Sequence, residues 1–399
     1  MKKIVSLIIG IILIMNCFPT SSFASGDEDA SGGADSVVNE YENANSLEIN
    51  AKSAVLMDAE TGTVLYMKDA AESLPPASVT KIMTLLLVAE AIDNGSISLD
   101  DKVCVSSDAA SMGGSQIFLK EGEEFTVEDL LKSTVIASAN DAAVALAELI
   151  AGSEKAFVSR MNERAGELGM KNTNFENATG LDDTVTNHTT SAYDIALMSK
   201  ELIKHSVITK YSNVWQDSIR NGEFTLTNTN RLVRYYDGCT GLKTGSTDKA
   251  GFCVSATAKR DGMHLIAVVM GAETRDERNE AARTMLDFGF SNYALFKETE
   301  AELESIDVKR GLKNDTVLYA KDFSKLVDKA DKKRIEKEFS IPNSLIAPIK
   351  SGDVVGSITY KLNGEIIGKC DIFVKEDIGE IGTIQLFFRI LKGIFTGNC

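Results

Sequence analysis

Residues 239–270 read CTGLKTGSTDKAGFCVSATAKRDGMHLIAVVM. Three segments in it, Cys239–Thr244, Phe252–Ala258 and His264–Met270, are short and apolar-rich, as successive strands are. A matching signal lies far upstream, where the runs Ser53–Ala59 and Thr63–Lys68 are joined by Glu60-Thr61-Gly62, the pattern of a hairpin that opens a sheet. The chain between these ends is mainly helical in pattern. Val79–Asn94 carries Ile82, Met83, Leu85, Leu86, Val88 and Ala89 and stops at Asn94-Gly95. Within 126–204, helical periodicity recurs in Val127–Ile136, Ala142–Ile150, Ala156–Leu168 and Ala192–Ile203; a further short strand is read at Glu223–Thr227 and a last helix at Asn279–Phe288. Strands at both ends enclosing a helical insertion predict an α+β domain whose sheet is assembled from distant parts of the sequence.

At 399 residues and 44% hydrophobic content the chain has enough material for two or more domains. Met1-Lys2-Lys3, the apolar run Ile4–Met15 and the small residues up to Ala24 describe a secretory signal peptide over residues 1–24; the apolar run is too short for a membrane span. Residues 25–45 are a solvated, acidic linker. A catalytic domain over 46–298 and a small β-rich domain over 299–376 follow, the latter marked by alternation in Thr316–Ala320 and Val355–Tyr360 and by the Asn363-Gly364 turn.

In the last segment, 377–399, Ile384, Phe387, Phe388, Leu391, Ile394 and Phe395 fall on one helical face and Gln385, Arg389, Lys392 and Thr396 on the other. That pattern fits an interfacial membrane helix, with a helix docked on the β-rich domain as the alternative. The net charge of −16 excludes a nucleic-acid partner. Cys104, Cys239, Cys253, Cys370 and Cys399 have no framework spacing and are read as free thiols; without a CxxC pair, and with only His188, His205 and His264, nothing calls for a metal or an organic cofactor.

Three motifs carry the chemistry: Ser78-Val79-Thr80-Lys81, Ser138-Ala139-Asn140 and Lys243-Thr244-Gly245. A serine hydroxyl is a poor nucleophile without a base beside it, and residues three apart on a helix share a face, so Lys81 lies next to Ser78. A serine at a helix start also has backbone N–H groups near the developing negative charge. Lysine acts as the base only if burial and a neighbouring cation depress its pKa; the leucine-rich helix and Lys243 supply both. Ser138-Ala139-Asn140 interrupts two helical runs and so presents a hydroxyl and an amide from a turn. Gly245, late in its strand, lets another chain approach that edge, where a substrate would pair as an added strand. Neither a GxSxG elbow, an HExxH helix nor a GxxxxGK[ST] loop is present.

Together with Gly113-Gly114-Ser115-Gln116-Ile117 and the run Gly241–Gly251, these motifs resemble those of the low-molecular-mass D-alanyl-D-alanine carboxypeptidases of the penicillin-binding protein and serine β-lactamase superfamily, from about residue 46 to the C-terminus. The resemblance implies that Ser78 is acylated, that Lys81 takes its proton, that Ser138 relays a proton to the leaving D-alanine and that Asn140 holds the substrate amide. Lys243 would add positive charge and Thr244 bind the terminal carboxylate. The N–H groups of Ser78 and Ser246 would form the oxyanion hole, about 3–4 kcal/mol per donor. Arg278 is the family-like carboxylate-binding arginine, with Arg275 as its competitor and Arg231 a further residue near the cleft. The implied partners are the peptidoglycan stem peptide, β-lactams as covalent inhibitors and the outer face of the cytoplasmic membrane. The middle motif is Ser-Ala-Asn where β-lactamases often have Ser-Asp-Asn, and no E-x-x-L-N segment supplies a deacylating glutamate; both favour a peptidase over the alternatives, a β-lactamase or a non-catalytic wall-binding or β-lactam-sensing protein.

Overall fold

The strand Ser53–Asp58 (β1) is buried along its whole length because it is covered on both faces. Side chains alternate across a strand, so Val55 and Met57 enter one apolar core while Ala54 and Leu56 enter another. A computed structural model, describing residues 47–183 and 185–396, places β1 beside Val64–Lys68 (β2). The helical insertion follows: Lys81–Asp93 (α1), Val127–Ile136 (α2), Asn140–Ala151 (α3), Glu154–Glu167 (α4) and Ala192–Leu202 (α5). Then come Cys239–Thr247 (β3), Gly251–Arg260 (β4) and Met263–Ala272 (β5). The antiparallel sheet runs β2-β1-β5-β4-β3, with Ser53 opposite Met270 and Lys243 opposite Ser255. Strands from the two ends of the domain thus meet at β1 and β5, which is the assembly that the sequence pattern requires.

The helical lobe covers one face of this sheet and the helix Arg275–Asn292 (α6) the other, where Met285, Leu286 and Phe290 pack on Leu56 and Leu265. α1 has Ile82, Met83, Leu85, Leu86, Val88 and Ala89 all buried; surrounded on every side, it is the centre of the lobe. α6 starts four residues before the expected Asn279. Thr274 accepts from the Glu277 N–H while the Glu277 carboxylate accepts from the Thr274 N–H, a reciprocal cap that draws the charged run Arg275–Arg278 into the first turn. The same helix extends past Phe288 to Asn292, so the aromatic stretch 288–296 is split between helix and strand.

Beyond α6 the strands are Tyr293–Glu298 (β6), Ala301–Lys309 (β7), Asp315–Ala320 (β8), Phe323–Asp328 (β9), Glu336–Ser340 (β10), Leu345–Ile346 (β11), Val354–Leu362 (β12) and Glu365–Val374 (β13). Six form a sheet in the order β10-β12-β13-β8-β7-β11. β6 pairs with β9 and not with the first sheet: its Leu295 enters the core beneath α6, while Phe296 packs on Tyr360 of the β-rich unit. The last helix, Thr383–Thr396 (α7), leaves Ile384, Phe387 and Phe388 exposed. Arg389 on its other face donates to the carbonyls of Gly311 (3.0 Å) and Leu312 (2.9 Å) and to Asn314 Oδ1 (2.8 Å). The side chains of Lys392, Ile394, Phe395 and Thr396, and Cys399, the leader and the linker, lie outside the described residues. Among those described, no helix is long and apolar enough to cross a membrane, and Cys104, Cys239, Cys253 and Cys370 are free.

Candidate active site

Pro75-Pro76 turns the chain into a single 3-10 turn, Ala77–Thr80, which feeds directly into α1. This places Ser78 at the mouth of the helix and Lys81 as its first α-helical residue, with Lys81 Nζ 2.9 Å from Ser78 Oγ. Lys81 is fully buried and donates to the carbonyl of Thr179 at 2.8 Å. Burial pushes its amine well below the ordinary lysine range; the charge of Lys243 pushes it further and Asp141 opposes. Lys243, also buried, donates to Ser138 Oγ at 2.8 Å and to the carbonyl of Thr244 at 3.0 Å. It is lowered to about 7, by burial first and Arg278 second. Lys243 thus helps to hold the proton off Lys81 in a dry site, and each lysine reaches a serine hydroxyl.

Ser138 is held at φ +62°, in the left-handed region that non-glycine residues seldom occupy, and Ala77, just before the other serine, is at +48°. Backbone strain is therefore placed at both hydroxyls. Asn140 opens α3. Its amide Nδ2 donates to the carbonyl of Gly113 (2.7 Å), and its Oδ1 is buried with no hydrogen-bond partner among the described residues. The neighbouring Asp141 carboxylate accepts from the N–H groups of Ile117 and Leu119, both within 3.2 Å, so loop 113–119 is stitched to the start of α3 and carries Ser115 to the cleft.

The expectation for Gly245 changes in one respect. A Cβ built there would lie 2.7 Å from the Ser78 nitrogen and 2.9 Å from the Pro76 carbonyl. The close neighbour that needs the glycine is therefore the turn that carries Ser78, which packs on β3. Thr244 Oγ1 donates to Thr229 Oγ1 at 2.8 Å, and Ser246 lines the cleft beside it. Arg275, Arg278 and Arg231 all reach the same end of a cavity of about 610 Å³ that also takes in Ser78, Ser138, Thr244, Gly245 and Ser246. Arg278 is buried and fixed, its Nη2 and Nε donating to Asn279 Oδ1 at 2.9 and 3.2 Å, whereas Arg275 and Arg231 are exposed. Its guanidinium is lowered to about 10, mainly by burial and then by Arg275.

Several supports escape sequence reasoning. Thr80 Oγ1 meets His188 Nε2 at 2.7 Å, and His188 Nδ1 accepts from the Glu176 N–H at 2.9 Å. That pairing fixes the proton on Nε2, and burial lowers the ring to about 4, so this histidine is a neutral prop under the turn that carries Ser78 and not an acid or base. Gly180, at φ +82°, faces the same turn: a Cβ there would fall 1.8 Å from the Ala77 carbonyl oxygen. Gly180→Ala is therefore expected to cost at least about 1–3 kcal/mol from overpacking, with a further penalty of about 1–2 kcal/mol for the left-handed backbone. Chemical denaturation together with penicillin acylation checks this; an unchanged midpoint would contradict the packing described. Of these residues only the Asn177-Ala178-Thr179-Gly180 run has any local signal, a glycine after polar residues, and nothing in it points to a lysine 98 positions upstream.

A serine hydroxyl 2.9 Å from a buried, charge-suppressed lysine, a second lysine–serine pair and three arginines lining one cavity are the parts a serine acyl-transfer site needs. The comparisons agree. Residues 39–274 match the family model described as D-alanyl-D-alanine carboxypeptidase, and residues 290–380 the model described as penicillin-binding protein 5, C-terminal domain. The chain is 43% identical to D-alanyl-D-alanine carboxypeptidase DacF of Bacillus subtilis (strain 168) over 98% of each. Penicillin-binding protein 5 from Haemophilus influenzae superposes with a TM-score of 0.71 at 32% identity, covering 84% of this chain and all of that one. Penicillin-binding protein D2 from Listeria monocytogenes, solved in the ampicillin-bound form, does so with a TM-score of 0.57 at 32% identity, covering 62% of this chain and 100% of that one. The chain belongs to the D-alanyl-D-alanine carboxypeptidase family.

Proposed function

We propose that this chain is a serine-type D-alanyl-D-alanine carboxypeptidase that removes the terminal D-alanine of peptidoglycan pentapeptide, and that β-lactams acylate it at the same serine. Ser78 Oγ attacks the penultimate D-alanine carbonyl while neutral Lys81 takes its proton. The amide C–N bond then breaks, the Ser138 hydroxyl passes a proton to the leaving amine, and water hydrolyses the ester. The N–H groups of Ser78 and Ser246 receive the oxyanion, Asn140 Oδ1 accepts from the substrate amide, and Lys243, Thr244 and Arg278 hold the terminal carboxylate. Arg278, rather than Arg275, takes that role because it is buried and already fixed. The observation that carries this reading is the wholly buried Lys81 amine 2.9 Å from Ser78 Oγ.

Its test pairs D-alanine release from a diacyl-L-Lys-D-Ala-D-Ala peptide with labelling by fluorescent penicillin. Release together with an adduct that persists for minutes is expected. Penicillin turnover within seconds, with no stable adduct, would identify a β-lactamase instead, and labelling without release a sensor. The lysine pair makes a second prediction. Replacing Lys243 by Met removes a cation that holds Lys81 down, so the Lys81 pKa rises and the acid limb of penicillin acylation moves to higher pH. A limb that stays in place or moves to lower pH would contradict the coupling.

For location, the leader 1–24 would carry the chain across the membrane and the linker 25–45 would precede the catalytic domain. The exposed Ile384, Phe387 and Phe388 would then enter the interfacial layer of the outer face, with Arg389 holding α7 to the β-rich domain. Liposome flotation of the chain with and without residues 379–399 is expected to show loss of binding on deletion; equal binding would remove the anchor.

A further inference from the structure

The pairing of β6 with β9 runs on into that of β7 with β8: Tyr293 lies opposite Asp328, Glu298 opposite Phe323, Ala301 opposite Ala320 and Asp307 opposite Asp315. Residues 293–309 and 315–328 are therefore one two-stranded ribbon, roughly 55 Å of strand at about 3.3 Å per residue. α7 is tied to its tip, where Arg389 holds the 311–314 turn. The other end, at Tyr293 and Asp328, meets α6 and the β4–β5 turn. There lies a cavity of about 220 Å³ that the acyl-transfer chemistry does not use.

Four cations from two distant parts of the sequence line it: Arg260, Lys329, Lys332 and Lys333. In a chain with 58 acidic and 42 basic residues, such a cluster runs against the overall charge. The Arg260 guanidinium is fixed over the rings of Tyr236 (4.5 Å) and Phe290 (4.8 Å), and its Nε and Nη2 donate to the Asp237 carbonyl at 3.0 and 2.8 Å. The carboxylates of Asp287 and Asp237, 3.7 and 3.8 Å away, offset part of its charge. Lys329 Nζ donates to a neutral acceptor, the Phe290 carbonyl, at 3.0 Å. The amines of Lys332 and Lys333 are exposed and have no hydrogen bond or ion pair among the described residues; the adjacent Asp331 is taken by Arg334.

The rest of the lining narrows the ligand. Met263 and Phe290 are buried apolar surface, and Asp261 is the one carboxylate in the lining. An anion on a short carbon body with a hydroxyl satisfies all three: the cations take the anion, Met263 and Phe290 the carbons, and Asp261 accepts from the hydroxyl. The cavity is smaller than the roughly 300–1,000 Å³ of pockets that hold drug-sized ligands, so it takes one such unit. Four cations are more than one unit needs, and the two unpaired lysines are left for the next anion along a chain.

We propose that this cavity binds one repeat of a phosphodiester-linked polyol polymer, holding the protein at a second point far from α7. A phosphorylated lipid headgroup has the same chemistry. The ribbon, however, puts the cavity and α7 at opposite ends, so the polymer is the source within reach if α7 lies in the membrane as proposed above. The choice of source rests on that location; the polyol-phosphate chemistry does not.

The test is fluorescence anisotropy of labelled poly(glycerol phosphate) with the full chain, beside cosedimentation with phosphatidylglycerol vesicles. Wild type is expected to bind the polymer, and Lys332→Glu/Lys333→Glu to bind it at least tenfold more weakly. Vesicle binding and penicillin labelling should stay within twofold, the latter reporting that the variant is folded. Lys155→Glu/Lys171→Glu makes the same change in net charge at exposed lysines outside the cavity and is expected to weaken binding less than twofold. No polymer binding by wild type, equal losses in the two variants, or inorganic phosphate binding as tightly as the polymer would overturn the proposal. So would vesicle binding that falls with Lys332→Glu/Lys333→Glu while the polymer does not bind, which would assign the phosphate to a lipid headgroup. Polymer binding without vesicle binding in wild type would remove the membrane location of α7 and uphold the ligand.

Discussion

Replacing Ser78 by alanine is expected to reduce D-alanine release by about 10⁵-fold or more, equivalent to roughly 7 kcal/mol of transition-state stabilisation. The loss is that large if, as proposed, Ser78 is the nucleophile. Removing Oγ removes the covalent intermediate, and the oxyanion donors, the Asn140 acceptor and the arginine end are left to bind a substrate that no group attacks. The fold should not notice. Ser78 is half-buried in a cleft and, among the described residues, its hydroxyl meets only Lys81, so denaturation midpoints should remain close to wild type while covalent penicillin labelling disappears. Chromatographic assay of D-alanine, run beside gel fluorescence, measures both. Activity within a hundredfold of wild type would place the nucleophile elsewhere.

Lys81→Met is the second large effect, an expected loss of about 10³–10⁴ in acylation, the upper range for a general base. Methionine keeps the unbranched length of the side chain and removes the amine, so the cost separates chemistry from packing. Two stability effects oppose each other. The Thr179 carbonyl loses its donor, which costs about 1–3 kcal/mol for a buried acceptor. Against that, a buried amine no longer has to be desolvated. The sign of the second effect is fixed by the direction of the shift. In the folded chain the Lys81 pKa lies well below 10.5, so between those two values the unfolded chain binds more protons than the folded one. This penalty on folding is complete below the folded pKa, fades as pH rises towards 10.5, and is absent above it. Urea denaturation of wild type should therefore show a stability gain with rising pH on the alkaline side that is smaller in Lys81→Met. An equal slope in both proteins would mean that the amine is not desolvated.

The outline of this molecule was legible because its apolar patterns are long and unambiguous. The hairpin Ser53–Lys68, the buried helix beginning at the nucleophile and the three strands around Lys243 each follow from periodicity, and two strand groups that flank helices have few ways to close one sheet. The start of α6 was misread because charged residues carry no periodicity. What placed Arg275–Arg278 in a helix was the cap formed by Thr274 and Glu277, a signal present in the sequence but weaker than the apolar run that begins later. The pairing of β6 with β9 was hidden for a different reason: an aromatic stretch alternating between two cores looks the same whichever sheet receives it.

The site divides along similar lines. The motif residues that the fold brings together stood out because each proposed role needs a particular functional group at a short, fixed spacing. Their supports did not. Thr179 contributes a carbonyl, Gly180 an absence of side chain and Asp141 acceptors for a loop, and none of these has a residue-type signature that points across 22 to 103 positions to its partner. His188 shows the converse. Its residue type invites an acid–base role, whereas its surroundings make it a neutral hydrogen-bonding strut under Thr80.

Turnover is expected to pass through an ester on Ser78. The direct measurement is mass spectrometry of enzyme quenched during turnover of the diacyl peptide and after exposure to penicillin, digested at lysine to give the peptide of residues 69–81 and fragmented to locate the adduct. The account requires the acyl mass on Ser78 with both reagents and on neither Ser73 nor Thr80. D-alanine released in full while that peptide stays unmodified throughout, or an adduct found on another residue, would contradict it.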